Sequence, residues 1–132
     1  MKRLACIFLT TGFLASATAA LAPGTVDKMK QKAEEVVRIE ITERSKGKRD
    51  GENRKVHYGA KVVEVIRSKA GLKKGQVIRV ESYIRSGLGI PMPGPMPPSY
   101  HDKGWKGTVW LNGAGDGKNF RIAVYGHSFE AD

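Results

Sequence analysis

Thiols are almost missing from this sequence. Cys6 is the only cysteine in 132 residues, so one chain holds no disulfide framework and no paired-cysteine metal motif. Negative charge is scarce too: 13 Asp and Glu face 23 Lys and Arg, a formal net charge of +10. That balance favours acidic partners without identifying one. Aromatic residues make up only 8%, but a hydrophobic fraction of 40% suffices for a modest core and excludes global disorder. The length allows one domain and excludes a large multi-domain enzyme. Sixteen glycines and six prolines exclude a bundle of long helices. There is no internal repeat.

The longest apolar run lies at the start. Met1-Lys2-Arg3 is positive, Leu4 to Leu14 is apolar, and Ala15 to Ala22 is built of small residues. That order is the pattern of a cleaved secretory signal, and the run is too short and too rich in Ala, Ser and Thr to suit a membrane span. Cuts after Ala19 and after Ala22 both fit, although Pro23 disfavours the second. Removal of residues 1–22 takes away Cys6 and, with Lys2 and Arg3, lowers the charge from +10 to +8. An exported, cysteine-free domain fits the bacterial periplasm or a bacterial surface better than the eukaryotic exterior. The mature chain is expected to contain no transmembrane segment, and export argues against intracellular nucleic acid as its partner.

Residues 23–34 form a charged lead-in with room for a helical turn or two. Residues 35–130 read as a single β domain. In Val36 to Thr42, Val37, Ile39 and Ile41 alternate with Arg38 and Glu40, the period of a half-buried strand. Residues 44–55 contain no apolar residue and two glycines, which predicts a loop or hairpin end projecting into water. Val56 to Arg67 alternates through Val62 and then changes phase, which predicts a bulge near Val62-Val63. Ala70 to Gly75 is a turn plugged by Leu72. Gln76 to Ile84 puts Ile78 and Val80 inside, with Arg79 and Glu81 outside. Five of the six prolines lie between 91 and 98, so residues 86–104 are expected to run as a stiff surface loop. Trp105 to Leu111 and Asn119 to Gly126 complete five strands, separated by the glycine-rich turn 112–118. The fold expected is all-β: a small five-stranded OB-like barrel, with a small β-sandwich as the alternative.

The runs Val36 to Ile41, Tyr58 to Ile66 and Gly71 to Val80, followed by Gly107 to Asn112 and Phe120 to Tyr125, resemble the strand pattern of secreted netrin/TIMP-like OB domains. The resemblance spans roughly residues 33–130 and implies a fold and a secreted habitat. Metalloprotease inhibitors of that class act through an N-terminal cysteine held by disulfides. The mature chain has none, so the resemblance does not imply that activity.

Catalytic signatures are thin. His57 reads as a strand-surface residue, while His101 and His127 read as loop positions. His101, Asp102, His127 and Glu130 or Asp132 share no metal-ligand spacing, and Met92 and Met96 are a weak soft-metal pair. Ser128 beside His127, and Ser99 near His101, lack a third group. No catalytic, cofactor or metal site is therefore assigned, and a small hydrolase or a metal-binding protein ranks last among the readings. The basic residues say more. Arg44, Lys46, Lys48, Arg49, Arg54 and Lys55 face only Asp50 and Glu52 within 44–55. Lys73 and Lys74 crowd the next turn, with Arg79 and Arg85 beyond. Outward Trp110 and Tyr125 supply flat surfaces of the kind OB domains use for stacking. The proline-rich strip offers a second, preordered contact loop: Pro91, Met92, Pro93, Pro95, Met96, Pro97, Pro98 and Tyr100.

The function expected is an exported, non-catalytic binding or accessory domain that contacts a protein or envelope component. The alternative is a polyanion binder for nucleic acid, acidic glycan or phospholipid headgroups, using the basic loop and the surface aromatics.

Overall fold

The structure is a computed structural model that describes residues 23–85 and 96–132. The expected signal segment 1–22 lies outside the described residues, as do Pro91, Met92, Pro93 and Pro95 of the proline-rich strip.

The chain opens with a helix, α1 (Pro23–Lys32). Proline is well tolerated in a first helical turn, and Lys30 and Lys32 in the last turn complement the negative end of the helix dipole. Arg67 caps that end by donating to the carbonyls of Lys30 and Ala33, both at 2.7 Å. Six strands follow: β1 (Glu35–Asp50), β2 (Asn53–Ser68), β3 (Val77–Arg85), β4 (Lys106–Gly113), β5 (Asn119–Ile122) and β6 (Phe129–Ala131). The sheet order is β1-β2-β3-β5-β4-β6, and β4 also pairs with β1, so five strands close into a ring. All pairings are antiparallel except β3 with β5.

The alternating apolar residues face the interior of the ring. Val37, Ile39 and Ile41 of β1 meet Val56, Tyr58, Ala60 and Val62 of β2, with Ile78, Val80, Val109, Leu111 and Phe120 completing the core. The change of phase in β2 has a physical origin. Arg38 pairs with Glu64 while Ile39 pairs with Val62, so Val63 is an extra residue, the bulge expected at that point. A second extra residue, Ile66, lies between the pairs Val37–Val65 and Val36–Arg67.

Residues 44–55 are a hairpin end, one of the two forms expected for them: they continue β1 and β2 into a long hairpin whose turn is Gly51–Glu52. One feature differs from the strand pattern read in the sequence, in that the last strand ends early, at Ile122. Its pairing with β3 spans only three residues, and Tyr125 takes a left-handed conformation (φ 48°) that breaks the extended chain. A 3-10 turn at Tyr125–Ser128 follows, closed by the Val124 amide donating to Ser128 Oγ at 2.7 Å, and β6 then pairs with β4.

Candidate anion-binding faces

The basic residues prominent in the sequence do not form one rim. Pairing register divides them, because at one end of the β2–β3 ladder Asn53 lies opposite Arg85, and at the other Lys61 lies opposite Val77. At about 3.3 Å per residue, these ends are roughly 25 Å apart. Lys48, Arg49, Arg54 and Lys55 occupy the hairpin end. Lys73 and Lys74 sit in the turn before β3, at the opposite end.

Arg44 and Lys46 belong to neither group. They pair with Tyr58 and Val56, whose side chains point inward, so both lie on the inner side of the hairpin where it overhangs the ring. Segment 98–105 covers that side. The Arg44 guanidinium lies 4.4 Å from the Tyr100 ring centre and the Lys46 ammonium 4.9 Å, while Arg44 also pairs with Asp102 at 2.7 Å. Beneath them, His101 packs against Trp105 and Phe129 at centroid distances of 4.6 and 4.7 Å, and its amide donates to Tyr58 Oη. Burial holds the His101 imidazole below its ordinary pKa, with Asp102 opposing the shift. These aromatics plug one mouth of the ring.

Trp110 is also occupied. It pairs with Val36, far along β1 from the hairpin end, and the Lys30 ammonium of α1 sits 4.1 Å from the centre of its ring. Of the proline-rich strip, Met96 is exposed, Pro98 is buried, and the Met96 carbonyl accepts from the Gly126 amide at 2.8 Å. Gly126 suits this contact, since a Cβ there would fall 2.7 and 2.8 Å from the Met96 and Pro97 carbonyl oxygens.

The outer face of β2, β3 and β5 gathers what the sequence left scattered. Register sets Lys55 beside Tyr83, His57 beside Glu81 and Glu81 beside Arg121, with Arg79 beside Gly59 and Asn119. Two recesses run along this face and share Glu81 and Arg121. One, of about 310 Å³, reaches the hairpin end through Asp50, Asn53 and Lys55. The other, of about 240 Å³, reaches the β4–β5 loop through Ala114 and Asp116. Ser82, 4% exposed, lines the first, and its hydroxyl has no hydrogen-bond partner among the described residues. Glu81 approaches Lys55 at 4.0 Å, whereas the side chains of Arg79, Arg121 and Lys118 form no ion pair within the described residues. Tyr83 is half-buried and its phenol pKa is raised, chiefly by burial, with Arg85 and Tyr125 close enough to act on it. Tyr125, 40% exposed, therefore borders this face.

The β4–β5 loop is held in shape by Asp116. Its carboxylate accepts from the amides of Lys118 and Asn119 at 2.9 and 2.8 Å, and from the Asn119 side chain. The Asn119 side chain and these amides lower its pKa to about 2. Tyr83 and Arg121 were not singled out in the sequence. The available signal was the period of β3 itself, in which Arg79, Glu81, Tyr83 and Arg85 all point outward.

The residues named as possible catalytic or metal groups are dispersed. Ser128 is fully buried. Asp102, Glu130 and Asp132 bind Arg44, Lys30 and Arg38, and among the described residues no three His, Cys, Asp or Glu side chains converge as metal ligands. No described helix is long and apolar enough to cross a membrane. Comparison with family models, with curated proteins and with solved structures finds no match to this chain.

Proposed function

We propose that this chain is a non-catalytic binding domain, exported to the cell envelope, that holds an extended polyanion along the outer face of β2, β3 and β5. The observation that carries this proposal is the alignment of Lys55, Arg79, Arg85 and Arg121 across three neighbouring strands, with Glu81 the only carboxylate among the facing pairs. Lys118 of the β4–β5 loop lies at one side of this row, its carbonyl accepting from the Arg79 amide at 2.9 Å. Tyr83 and Tyr125 offer flat surfaces to an unstacked base or a sugar ring. The five-strand order and the parallel β3–β5 pair support an OB-like barrel. In such barrels the strand 2–3 face and the two loops flanking it take oligonucleotides and oligosaccharides. The amino-terminal signal pattern favours an acidic glycan of the envelope over a nucleic acid.

The test is fluorescence anisotropy with a labelled uronic-acid oligosaccharide and a labelled single-stranded oligonucleotide, titrated at several salt concentrations. We expect the oligosaccharide to bind at about 0.15 M salt, where the Debye length is ~8 Å. Arg79→Ala combined with Arg121→Ala should weaken either ligand at least about tenfold. For the oligonucleotide, the salt slope should fall by roughly 1.4, about 0.7 for each cation removed. Absence of binding at that ionic strength, or an unchanged slope in the double variant, would refute the proposal.

A further inference from the structure

A second groove lies at the far end of the molecule, where the bulge in β2 meets the turn before β3. Two adjoining cavities, of about 630 and 650 Å³, share Arg38, Val63 and Lys74 and so form one elongated depression. Its charge is uneven. Five cations line it, Arg38, Lys61, Lys73, Lys74 and Lys106, against the three carboxylates Glu40, Glu64 and Asp132. Two of those carboxylates are already taken, since Arg38 binds Glu64 at 3.0 Å and Asp132 at 2.7 Å. The ammonium groups of Lys61, Lys73 and Lys74 make no hydrogen bond or ion pair with any described residue.

The floor is apolar for a structural reason. The bulge displaces Val63 from the ladder at the position where β2 changes phase, and Val65 and Leu72 continue the apolar surface toward the turn. Val77, the cross-strand neighbour of Lys61, is 64% exposed. Unpaired cations at one end of a hydrophobic trough make a poor site for a purely polar anion and an equally poor one for a neutral oil. We infer that this groove binds an amphiphilic anion: one carboxylate or phosphate group on a single alkyl chain. The head would lie among Lys61, Lys74 and Lys106, and the chain along Val63, Val65 and Leu72. The groove shares no lining residue with the two recesses of the β2–β3–β5 face, so the inference stands whether or not that face binds polyanions.

Amide NMR of the 15N-labelled protein tests this with four probes: decanoate and decyl phosphate below their micelle-forming concentrations, decanol below its solubility limit, and inorganic phosphate. Decanoate or decyl phosphate should shift residues 61–65 and 72–75 at physiological salt, and the tighter of the two identifies the headgroup. Lys61→Gln combined with Lys74→Gln should weaken that ligand about tenfold or more, the loss expected for charge-assisted hydrogen bonds. Val63→Ser should weaken it several-fold while leaving inorganic phosphate unaffected. Arg79→Ala with Arg121→Ala should change neither, and thermal melts confirm that each variant is folded. Three results would overturn the inference: no shifts at these residues with either anion, decanol binding as well as decanoate, or inorganic phosphate binding as well as decyl phosphate.

Discussion

Glu35 is the most informative residue to perturb. It opens β1, is only 1% exposed, and no ion pair with a described cation compensates its burial. Its carboxylate instead accepts from the Ser68 hydroxyl and from the Ala70 amide, the latter at 3.1 and 3.3 Å to its two oxygens. Ser68 Oγ in turn accepts from the Leu72 amide at 2.8 Å. One side chain thus ties the start of β1 to the turn that carries Lys73 and Lys74. Glu35→Ala would leave the Ala70 amide and the Ser68 hydroxyl without their acceptor, at about 1–3 kcal/mol for each group that stays buried. Relief of the carboxylate's own desolvation offsets part of this, so a net loss of about 2–4 kcal/mol is expected. Urea unfolding of wild type, Glu35→Ala, Ser68→Ala and the double variant measures it. The double variant should lose less than the sum of the singles, because the two residues share one hydrogen-bond chain. A Glu35→Ala variant within about 0.5 kcal/mol of wild type, the usual range of a neutral surface change, would refute this account.

Two further perturbations report on the closed mouth of the ring. A Cβ at Gly107 would collide with the Glu130 carbonyl and lie 2.5 Å from Trp105 Cη2, so Gly107→Ala should displace β6 and cost about 3 kcal/mol in urea unfolding, with a change in Trp105 emission; a variant as stable as wild type would contradict the packing described. His101 has a folded pKa below its ordinary value of 6.5, so its contribution to stability is complete above 6.5 and is lost as pH falls through the lower folded value. Melting temperature should therefore decline on acidification below 6.5, and His101→Phe should flatten that slope; an unaltered slope would remove His101 as its source.

Much of the architecture was legible because strand alternation is local. The interior positions Val37, Ile39, Ile41, Val56, Tyr58, Ile78 and Val80 followed from period two, and the bulge at Val63 followed from its failure. The early end of β5 was not legible, because Phe120, Ile122 and Val124 keep the alternation through the position where the chain turns. Only the left-handed Tyr125 and the short parallel pairing with β3 end the strand. The candidate site was half legible. Composition marked residues 44–55 as basic but could not tell that Arg44 and Lys46 face Tyr100, or that α1 already covers Trp110.

What the sequence determined alone is what depends on neighbours in the chain: the β character, the places of the turns and the excess of positive charge. Tertiary structure decided which charges act together. Arg79 and Arg121 are 42 positions apart in the chain and become neighbours through the parallel pairing of β3 with β5, whereas Arg44 and Lys55, close in sequence, end on opposite sides of the hairpin. Coulomb interaction falls with distance in space, not along the chain. Strand register therefore divided one diffuse basic excess into a row of cations along β2, β3 and β5 and a lysine-rimmed groove beside the β2 bulge.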